Sequence, residues 1–219
     1  MEVAEQIITT NTSNIKVQKR DGRLEPLDID KIHFVVEEAC EGLTGVSSSQ
    51  IEINANIQFY DGITTKDIQH VLVKSANDLI TLENPNYQYA AARLLSYDVR
   101  KEAHGQYEYI PLLKLILRNI KLGVYDRTIV EKYHKSEIKK LNTWIKRDRD
   151  LDFTYAGLRQ VVDKYLVQDR SSGEIYETPQ DMYMMIAATL FANYPKTVSY
   201  THLRAHETRG NLVCRLLLE

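Results

Sequence analysis

The sequence predicts a mainly helical protein with small β-hairpins, in the α+β class. Apolar residues recur at the three- and four-residue spacing of amphipathic helices along most of the chain. Only two short stretches show the alternation and the central turn that indicate a hairpin. The chain has 219 residues, of which 43% are hydrophobic and 26% charged, a composition typical of an ordinary globular protein.

Composition and charge also exclude several classes of protein. The formal net charge of -2 argues against a protein that wraps nucleic acid, and two cysteines cannot build a disulfide scaffold. The longest apolar runs fall far short of the roughly 18 to 20 residues that cross a bilayer. The first residues have neither the basic start nor the apolar centre of a signal peptide. We therefore expect a cytoplasmic protein with no nucleic-acid or membrane partner.

The first element is predicted to be a hairpin. Residues 1–14 show no lasting period and are expected to form a disordered leader. Ile15 and Val17 then alternate with polar residues, and Asp21 with Gly22 is a signal for a two-residue turn. The hairpin is expected to continue through the leucines that follow this turn.

Four helices are predicted after the hairpin, each with its own start signal. These signals are Asp30 as N-cap of the first helix, Ser47 to Ser49 before the second, the capping box of Thr64 and Asp67 before the third, and the break at Asn84-Pro85 before the fourth. Gly105 is expected to end the fourth helix in the left-handed conformation. Residues 15–104 thereby form a unit of about the size of one domain.

Residues 105–197 are predicted to be helical with a second hairpin. Helices are expected at 112–122, within 126–146, at 155–164 and from Pro179 onward with Thr178 as the cap; the hairpin is expected between 165–168 and 174–176. These apolar helices have no evident sheet or bundle partner. We therefore do not expect this region to be a finished domain.

The sequence shows no pattern typical of a catalytic nucleophile or a metal site. Cys40 lies on the apolar face of a helix and is expected to be a core residue. Outside the C-terminal segment 198–219 the histidines occur singly, and no CxxC or HExxH motif is present. The run of alternating charges at 147–150 is expected to be a solvated or ion-paired turn.

A phosphate site is the stronger candidate. Lys19 and Arg20 precede the predicted turn, and Lys31 falls in the first turn of the following helix, where the helix dipole favours an anion. These cations could converge on a phosphate without a Walker loop. The alternative interpretation is a solvated basic turn, which is a common surface feature.

Seven short segments stand in a distinctive order along the chain. They are VQKRDGRLEPLDIDKI, ITTKDI, NYQYAAARLLSYDVRK, GVYD, RDRDLDFTYAGL, KYLVQ and GEIYETPQ. In this order they resemble the N-terminal part of the large subunit of class I ribonucleotide reductase, over residues 15 to about 197. The resemblance implies an ATP-cone at 15–104 and, at 105–197, the helical beginning of a truncated ten-stranded α/β barrel domain.

The resemblance implies an allosteric ATP/dATP site. The implied contacts are Lys19, Arg20, Glu25, Pro26, Leu27, Asp28, Ile29, Asp30, Lys31, Thr65 and Lys101. Lys19, Lys31 and Lys101 would contact phosphate, and Glu25 would lie near the base or sugar. One departure is visible: Gln69 stands where the family has a histidine, with His70 one place along, about 100° around a helix.

The family resemblance also implies a parent enzyme and its partners. That enzyme reduces ribonucleoside diphosphates to deoxyribonucleotides for DNA synthesis through a cysteine thiyl radical, with a radical metallocofactor in a separate small (beta) subunit. ATP and dATP, with Mg²⁺, are the implied effectors. Homodimerisation of the large subunit and reduction by thioredoxin or glutaredoxin are implied as well. No metal is expected to bind this chain itself.

This chain is expected to be catalytically inert alone, because it lacks the cysteines that form the radical and supply electrons. Two other classes stay open at this point. One is a free-standing ATP-cone regulator of transcription, and the other is a helical interaction domain whose KRDG turn is coincidental.

The C-terminal segment 198–219 differs from the rest. VSYTHLRAHET and LVCRLLLE, separated by three residues, resemble the translation of a sequencing-library adapter. We predict a non-native tail here. The alternative is a genuine C-terminal helix, although the segment has no helical start signal.

Overall fold

The computed structural model describes residues 15–19 and 21–193, which cluster into two compact units. The first contains the described residues up to Asp98 together with Thr154–Ala156, and the second contains Val99–Phe153 and the described residues from Gly157 onward. The predicted leader, Arg20 and the predicted non-native tail lie outside the described residues. The domain boundary at 104/105 stays a prediction.

A three-stranded sheet opens the first unit. β1 (Lys16–Gln18) pairs antiparallel with β2 (Leu24–Pro26), which confirms the predicted hairpin. On its other side β1 pairs in parallel with β3 (Ile63–Thr64), a strand that the sequence did not predict. Val17 of β1 and Ile63 of β3 are paired and both are buried, so this pairing is part of the core of the unit.

The hairpin turn is one residue longer than predicted. Lys19 N–H donates to Arg23 O at 2.8 Å, and Gly22 N–H donates to Lys19 O at 2.9 Å. Three residues therefore separate the last paired positions. Gly22 has φ of +84°, the left-handed conformation that a three-residue hairpin loop requires at its last position.

Four helices complete the first unit, as predicted. They are α1 (Ile29–Cys40), α2 (Ser48–Asn56), α3 (Thr65–Asp78) and α4 (Tyr87–His104), of which α4 ends in residues of the second unit. Ser47 and Thr64 cap α2 and α3 as predicted. The prediction for α1 is wrong: Asp28, not Asp30, is the N-cap, because its carboxylate reaches Lys31 N at 3.2 Å while Asp30 already lies in the first turn.

The second unit is built from short helices. They are α5 (Leu112–Lys121), α6 (Thr128–Lys132), α7 (Lys135–Asn142), a 3-10 helix (Arg147–Asp152), α8 (Tyr155–Lys164) and α9 (Pro179–Leu190). The second predicted hairpin is reduced to one antiparallel bridge between Gln168 and Ile175. None of the described helices combines the length and the apolar character that a membrane span needs.

The second unit has a core of its own. Met184, Ala187 and Ala188 of α9 pack in one buried cluster with residues of α5, α6 and α7. The full cluster is Ile110, Leu112, Leu115, Ile116, Ile129, Tyr133, Ile138, Leu141, Ile145, Met184, Ala187 and Ala188. The prediction that these apolar helices lack a partner is therefore wrong, because the bundle forms between helices up to about 70 residues apart in the sequence.

Candidate functional site

The predicted phosphate lysines lie on the hairpin and the first turn of α1. Lys19 follows β1, and its Nζ is 3.3 Å from Oε2 of Glu25 on β2. Lys31 lies in the first turn of α1, and its Nζ is 2.8 Å from Oδ2 of Asp28. Both lysines are thus paired with carboxylates that belong to the same predicted set of nucleotide contacts.

Arg23 belongs to this cluster although the sequence pattern did not single it out. Its guanidinium lies 2.7 Å from Asp21 and 3.7 Å from Oε1 of Glu25. The pKa of Asp21 is lowered because Arg23 donates to it from both its backbone and its side chain. Glu25 is therefore shared between Lys19 and Arg23 across the hairpin. A basic residue directly after a turn glycine is the signal that could have identified Arg23.

Asp28 occupies the start of α1. One carboxylate oxygen accepts from the backbone N–H of Lys31, and the other pairs with the Lys31 ammonium. These contacts lower the pKa of Asp28 and raise that of Lys31. The carboxylate thus takes the position that an incoming anion would find most favourable, at the positive end of the helix. A phosphate has to compete with it.

The parallel pairing of β3 explains why Thr65 belongs with the hairpin. Gln18 of β1 pairs with Thr64 of β3, and both strands run in the same direction. Lys19 and Thr65 are the next residues of the two strands, so they leave the sheet at the same edge. Residue types alone did not point to Thr65, because β3 consists of only two residues.

The other predicted contacts are surface residues. Pro26, Leu27, Ile29 and Asp30 form the exposed or half-buried connection from β2 into α1. Lys101 is exposed on the last turn of α4 and belongs to the second unit. Arg20 lies outside the described residues. All of these contacts stay predictions.

Gln69, the visible departure from the family pattern, has a structural contact. Its side-chain amide donates to the carbonyl of Leu94 at 2.8 Å, which joins α3 to α4. His70 is exposed, with its ring nitrogen 3.5 Å from Asp98. The neighbouring histidine therefore points away from the position that Gln69 occupies.

Nucleophile and metal chemistry find no support in the described residues. Burial raises the pKa of Cys40 to about 11, so its thiol stays protonated near neutral pH. His33 pairs with Glu52 at 2.8 Å, and His134 caps α7. The part of the chain that the structure describes holds no group of three or more potential metal ligands.

A buried polar cluster lies in the second unit. Asp181 is fully buried, with its carboxylate 3.2 Å from the His104 ring and 2.9 Å from the Arg147 guanidinium. Burial opposes ionisation of Asp181, but hydrogen bonding from His104 and the charge of Arg147 lower its pKa to about 2. Asp150 is fully buried too, and burial raises its pKa to about 8. The segment 147–150, predicted to be a solvated or ion-paired turn, is ion-paired through Arg147, and Asp150 is buried within it.

The second unit also carries a groove of about 640 Å³. Its walls are mainly apolar, and the lining includes Tyr125 and Glu177, with the Tyr125 hydroxyl donating to the Glu177 carboxylate. Burial raises the pKa of Glu177 to about 7. None of the predicted nucleotide contacts lines this groove.

The small sheet, the four helices and the cationic hairpin define the class of protein. Residues 15–102 match the family model of the ATP cone domain. Residues 151–209 match the all-alpha domain of ribonucleotide reductase, and this match overlaps the start of the predicted non-native tail.

Similar proteins identify the family more closely. The chain is 46% identical to ribonucleoside-diphosphate reductase 1 subunit alpha of Escherichia coli over 191 residues, which is 87% of this chain and 25% of that protein. It is 40% identical to the Haemophilus influenzae alpha subunit over 87% of this chain and 25% of the relative, and 41% identical to that of phage T4 over 83% and 24%. The chain therefore belongs to the family of ribonucleoside-diphosphate reductase large subunits, and it spans about a quarter of the length of these curated relatives.

Proposed function

We propose that residues 15–102 bind ATP and dATP as allosteric effectors of a ribonucleoside-diphosphate reductase. The observation that supports the proposal is that Lys19 on the hairpin and Lys31 at the helix start each pair with a carboxylate of the predicted set, Glu25 and Asp28, within the segment that matches the ATP cone. Lysines at a helix start are suited to bind phosphate, and Glu25 offers an acceptor for a ribose hydroxyl.

Binding would proceed by exchange of partners. The phosphates would take Lys19 from Glu25 and Lys31 from Asp28, both of which are solvent-exposed pairs of low intrinsic stability. Glu25 would stay paired with Arg23 or turn to the nucleoside. The carboxylates of this cluster are hard oxygen ligands, which fits a Mg²⁺ ion that accompanies the nucleotide.

The effectors would act through different subunit contacts. In this proposal ATP favours the active assembly and dATP an inhibited one, with a coupling free energy of about 1 to 3 kcal/mol. The implied partners are the small (beta) subunit, a second large subunit, and thioredoxin or glutaredoxin as reductant. A cytoplasmic location and a radical metallocofactor in the small subunit belong to the same proposal.

The alternative of a free-standing transcriptional regulator is not favoured. The match to the all-alpha domain and the relatives named above place an ATP cone and reductase sequence in one chain. The net charge of -2 also gives little electrostatic attraction for DNA. A coincidental KRDG turn in an interaction domain would leave the match over 15–102 unexplained.

Calorimetric titration of the full chain with ATP and with dATP tests the proposal. We expect saturable binding that is weakened at least tenfold by Lys31→Ala and by Lys19→Ala, since each removes a phosphate partner. Lys74→Ala is the matched control, because Lys74 is an exposed lysine on α3 outside the predicted site. Absence of saturable binding, or equal binding by all three variants, would refute the proposed site.

A further inference from the structure

A second groove of the second unit, of about 730 Å³, lies between α5 and α7 and is lined by cations. They are Lys114, Arg118 and Lys121 of α5 and Lys139 of α7. The described residues that line this groove include no Asp or Glu. The groove therefore has an excess of positive charge that its own walls do not neutralise.

Most of the remaining lining is aliphatic. Pro111, Leu113 and Leu117 contribute to it, and Leu117 leaves 46% of its surface exposed. Leu117 follows Lys114 by three residues and precedes Lys121 by four, so the three side chains share one face of α5. An exposed apolar side chain within a concave surface with a polar rim is typical of an interaction site.

The shape of the groove is set by packed helices and not by loops. Leu112 N–H, at the start of α5, donates to Asn142 Oδ1 at the end of α7 at 2.8 Å. Arg118 is held by the Asn119 side chain at 2.9 Å and by the Tyr176 carbonyl at 3.1 Å. Both helices also contribute to the buried core of the unit. The groove is therefore expected to exist before any partner binds.

Three of the four cations have no ion-pair partner of their own. Lys114, Lys121 and Lys139 are exposed, and none of them pairs with a carboxylate within the part of the chain that the structure describes. Lys114 also lies in the first turn of α5, which has no side-chain cap and whose positive end disfavours a cation. It thus stabilises neither the helix nor an ion pair, whereas a carboxylate bound there would meet both a cation and a positive helix end.

We propose that this groove binds an acidic amphipathic segment of a partner protein. The carboxylates of the segment would pair with Lys114, Lys121 and Lys139, and an aliphatic side chain would pack on Leu113 and Leu117. Charge complementarity and the aliphatic lining together favour this class of partner. A nucleic acid would find cations for its phosphates, but no aromatic side chain for its bases among the described lining residues. None of the predicted nucleotide contacts lines this groove, so the inference is independent of the proposed nucleotide site.

Fluorescence anisotropy of a labelled synthetic peptide, titrated with the full chain, tests the proposal. The probe is a helical peptide of about 14 residues that carries glutamate and leucine on one face at three- and four-residue spacing. We expect saturable binding that is weakened at least about tenfold by Lys114→Glu combined with Lys121→Glu, because attraction at two positions becomes repulsion. Lys74→Glu combined with Lys164→Glu is the matched control, since these exposed lysines do not line the groove. This control pair is expected to bind within about twofold of the wild type.

Two altered peptides separate the contributions to binding. Replacing the glutamates by glutamine or the leucines by alanine is expected to weaken binding about fivefold or more, because the groove offers both cations and aliphatic surface. Thermal unfolding checks the groove variant, which is expected to be as stable as the wild type, since a carboxylate suits the first turn of α5.

Three results would overturn the proposal for a folded protein. They are no saturable binding by the wild type, equal weakening in the control pair, and equal binding of the leucine-free peptide. A single-stranded oligonucleotide that binds the groove more tightly than the peptide would assign it to nucleic acid instead. Self-association in sedimentation velocity that is lost in the groove variant would assign it to a second copy of the chain, and would also overturn the proposal.

Discussion

The side chain of Asp28 has two roles, as a helix cap and as an ion-pair partner. It caps α1 through the N–H of Lys31 and neutralises the ammonium of the same residue. An asparagine would cap a helix about as well but would carry no charge. The cap and the electrostatic competition with phosphate can therefore be separated by one substitution.

Asp28→Asn is expected to bind ATP about two- to fivefold more tightly than the wild type, because Lys31 loses an anionic competitor while the helix keeps its cap. Calorimetric titration at constant ionic strength measures the effect. Asp78→Asn, at the exposed end of α3, controls for the change in net charge. Equal gains in both variants would show that long-range charge, and not the pairing with Lys31, limits affinity.

Asp150 and Asp181 are buried in the same cluster, but their pKa values are shifted in opposite directions. Asp181 is paired with His104 and Arg147 and has a pKa of about 2, whereas burial raises the pKa of Asp150 to about 8. The Asp181 carboxylate raises the pKa of Asp150 further, and Arg147 opposes the rise. Each group therefore links the stability of the second unit to a different range of pH.

The sign of the Asp150 effect follows from its raised pKa. Between about pH 4 and pH 8 the folded state binds more protons at Asp150 than the unfolded state does, so its contribution to stability is lost as the pH rises toward 8. Asp150→Asn is expected to flatten the decline in stability from pH 5 to pH 8.5. Part of the decline should remain, because the pKa of Glu177 is raised to about 7.

Unfolding of the second unit can be followed by the fluorescence of Trp144. It is the single tryptophan of the chain and packs on the core of that unit. Urea unfolding at pH 5, 7 and 8.5 gives the free energy of unfolding of the wild type and of Asp150→Asn. If the free energy of unfolding changed with pH in parallel for the wild type and Asp150→Asn, the raised pKa of Asp150 would be contradicted.

At the scale of elements, β3 and α3 are linked through Thr64, which ends the strand and caps the helix. β3 ends at Thr64, and the same threonine caps α3 by accepting from Asp67 N–H at 3.0 Å and donating to the Asp67 carboxylate at 2.6 Å. The strand fixes the cap beside β1, and the cap fixes Thr65 as the first residue of the helix. The position of Thr65 thus depends on the Thr64 cap.

Thr64→Ala is expected to destabilise the start of α3 by about 0.5 to 2 kcal/mol, because Asp67 N–H loses its acceptor. Hydrogen exchange measured by mass spectrometry should show faster exchange of the α3 amides, with the core of the second unit unchanged. Thr64→Ser keeps the hydroxyl and should exchange as the wild type does. Equal protection in Thr64→Ala would mean that the Thr64 cap contributes nothing measurable.

For the whole molecule, cysteine content limits the chemistry. The radical reduction implied by the family needs one thiol for the radical and a second pair for electrons, whereas this chain has only Cys40 and Cys214. Burial keeps the Cys40 thiol protonated, with a pKa of about 11. These two cysteines are fewer than the three thiols that such a reduction requires.

We expect no ribonucleoside diphosphate reduction when the chain is mixed with a small subunit, a reductant and ATP. The measurement is deoxyribonucleotide formation, with the Escherichia coli alpha subunit as the positive control. Turnover that depends on this chain would contradict the prediction of inertness.

The sequence by itself determined the features that depend on near neighbours. Ser47, Thr64 and Thr178 could be identified as caps because a cap contacts a residue only two or three positions away. The helix periods and the hairpin at Gly22 are local in the same sense. Lys19 and Lys31 could be selected from the turn and the helix start that carry them, so the central lysines of the candidate site follow from local pattern alone.

Only the tertiary structure decided the features that join distant segments. β3 pairs with β1 across more than 40 residues, and this pairing is what places Thr65 beside the hairpin. The burial of Asp150, the core shared by α5, α7 and α9, and the contact of Glu102 with Ile175 likewise depend on which surfaces meet. Local patterns specify elements because their interactions span one turn, but burial and long-range pairing are properties of the packed chain as a whole.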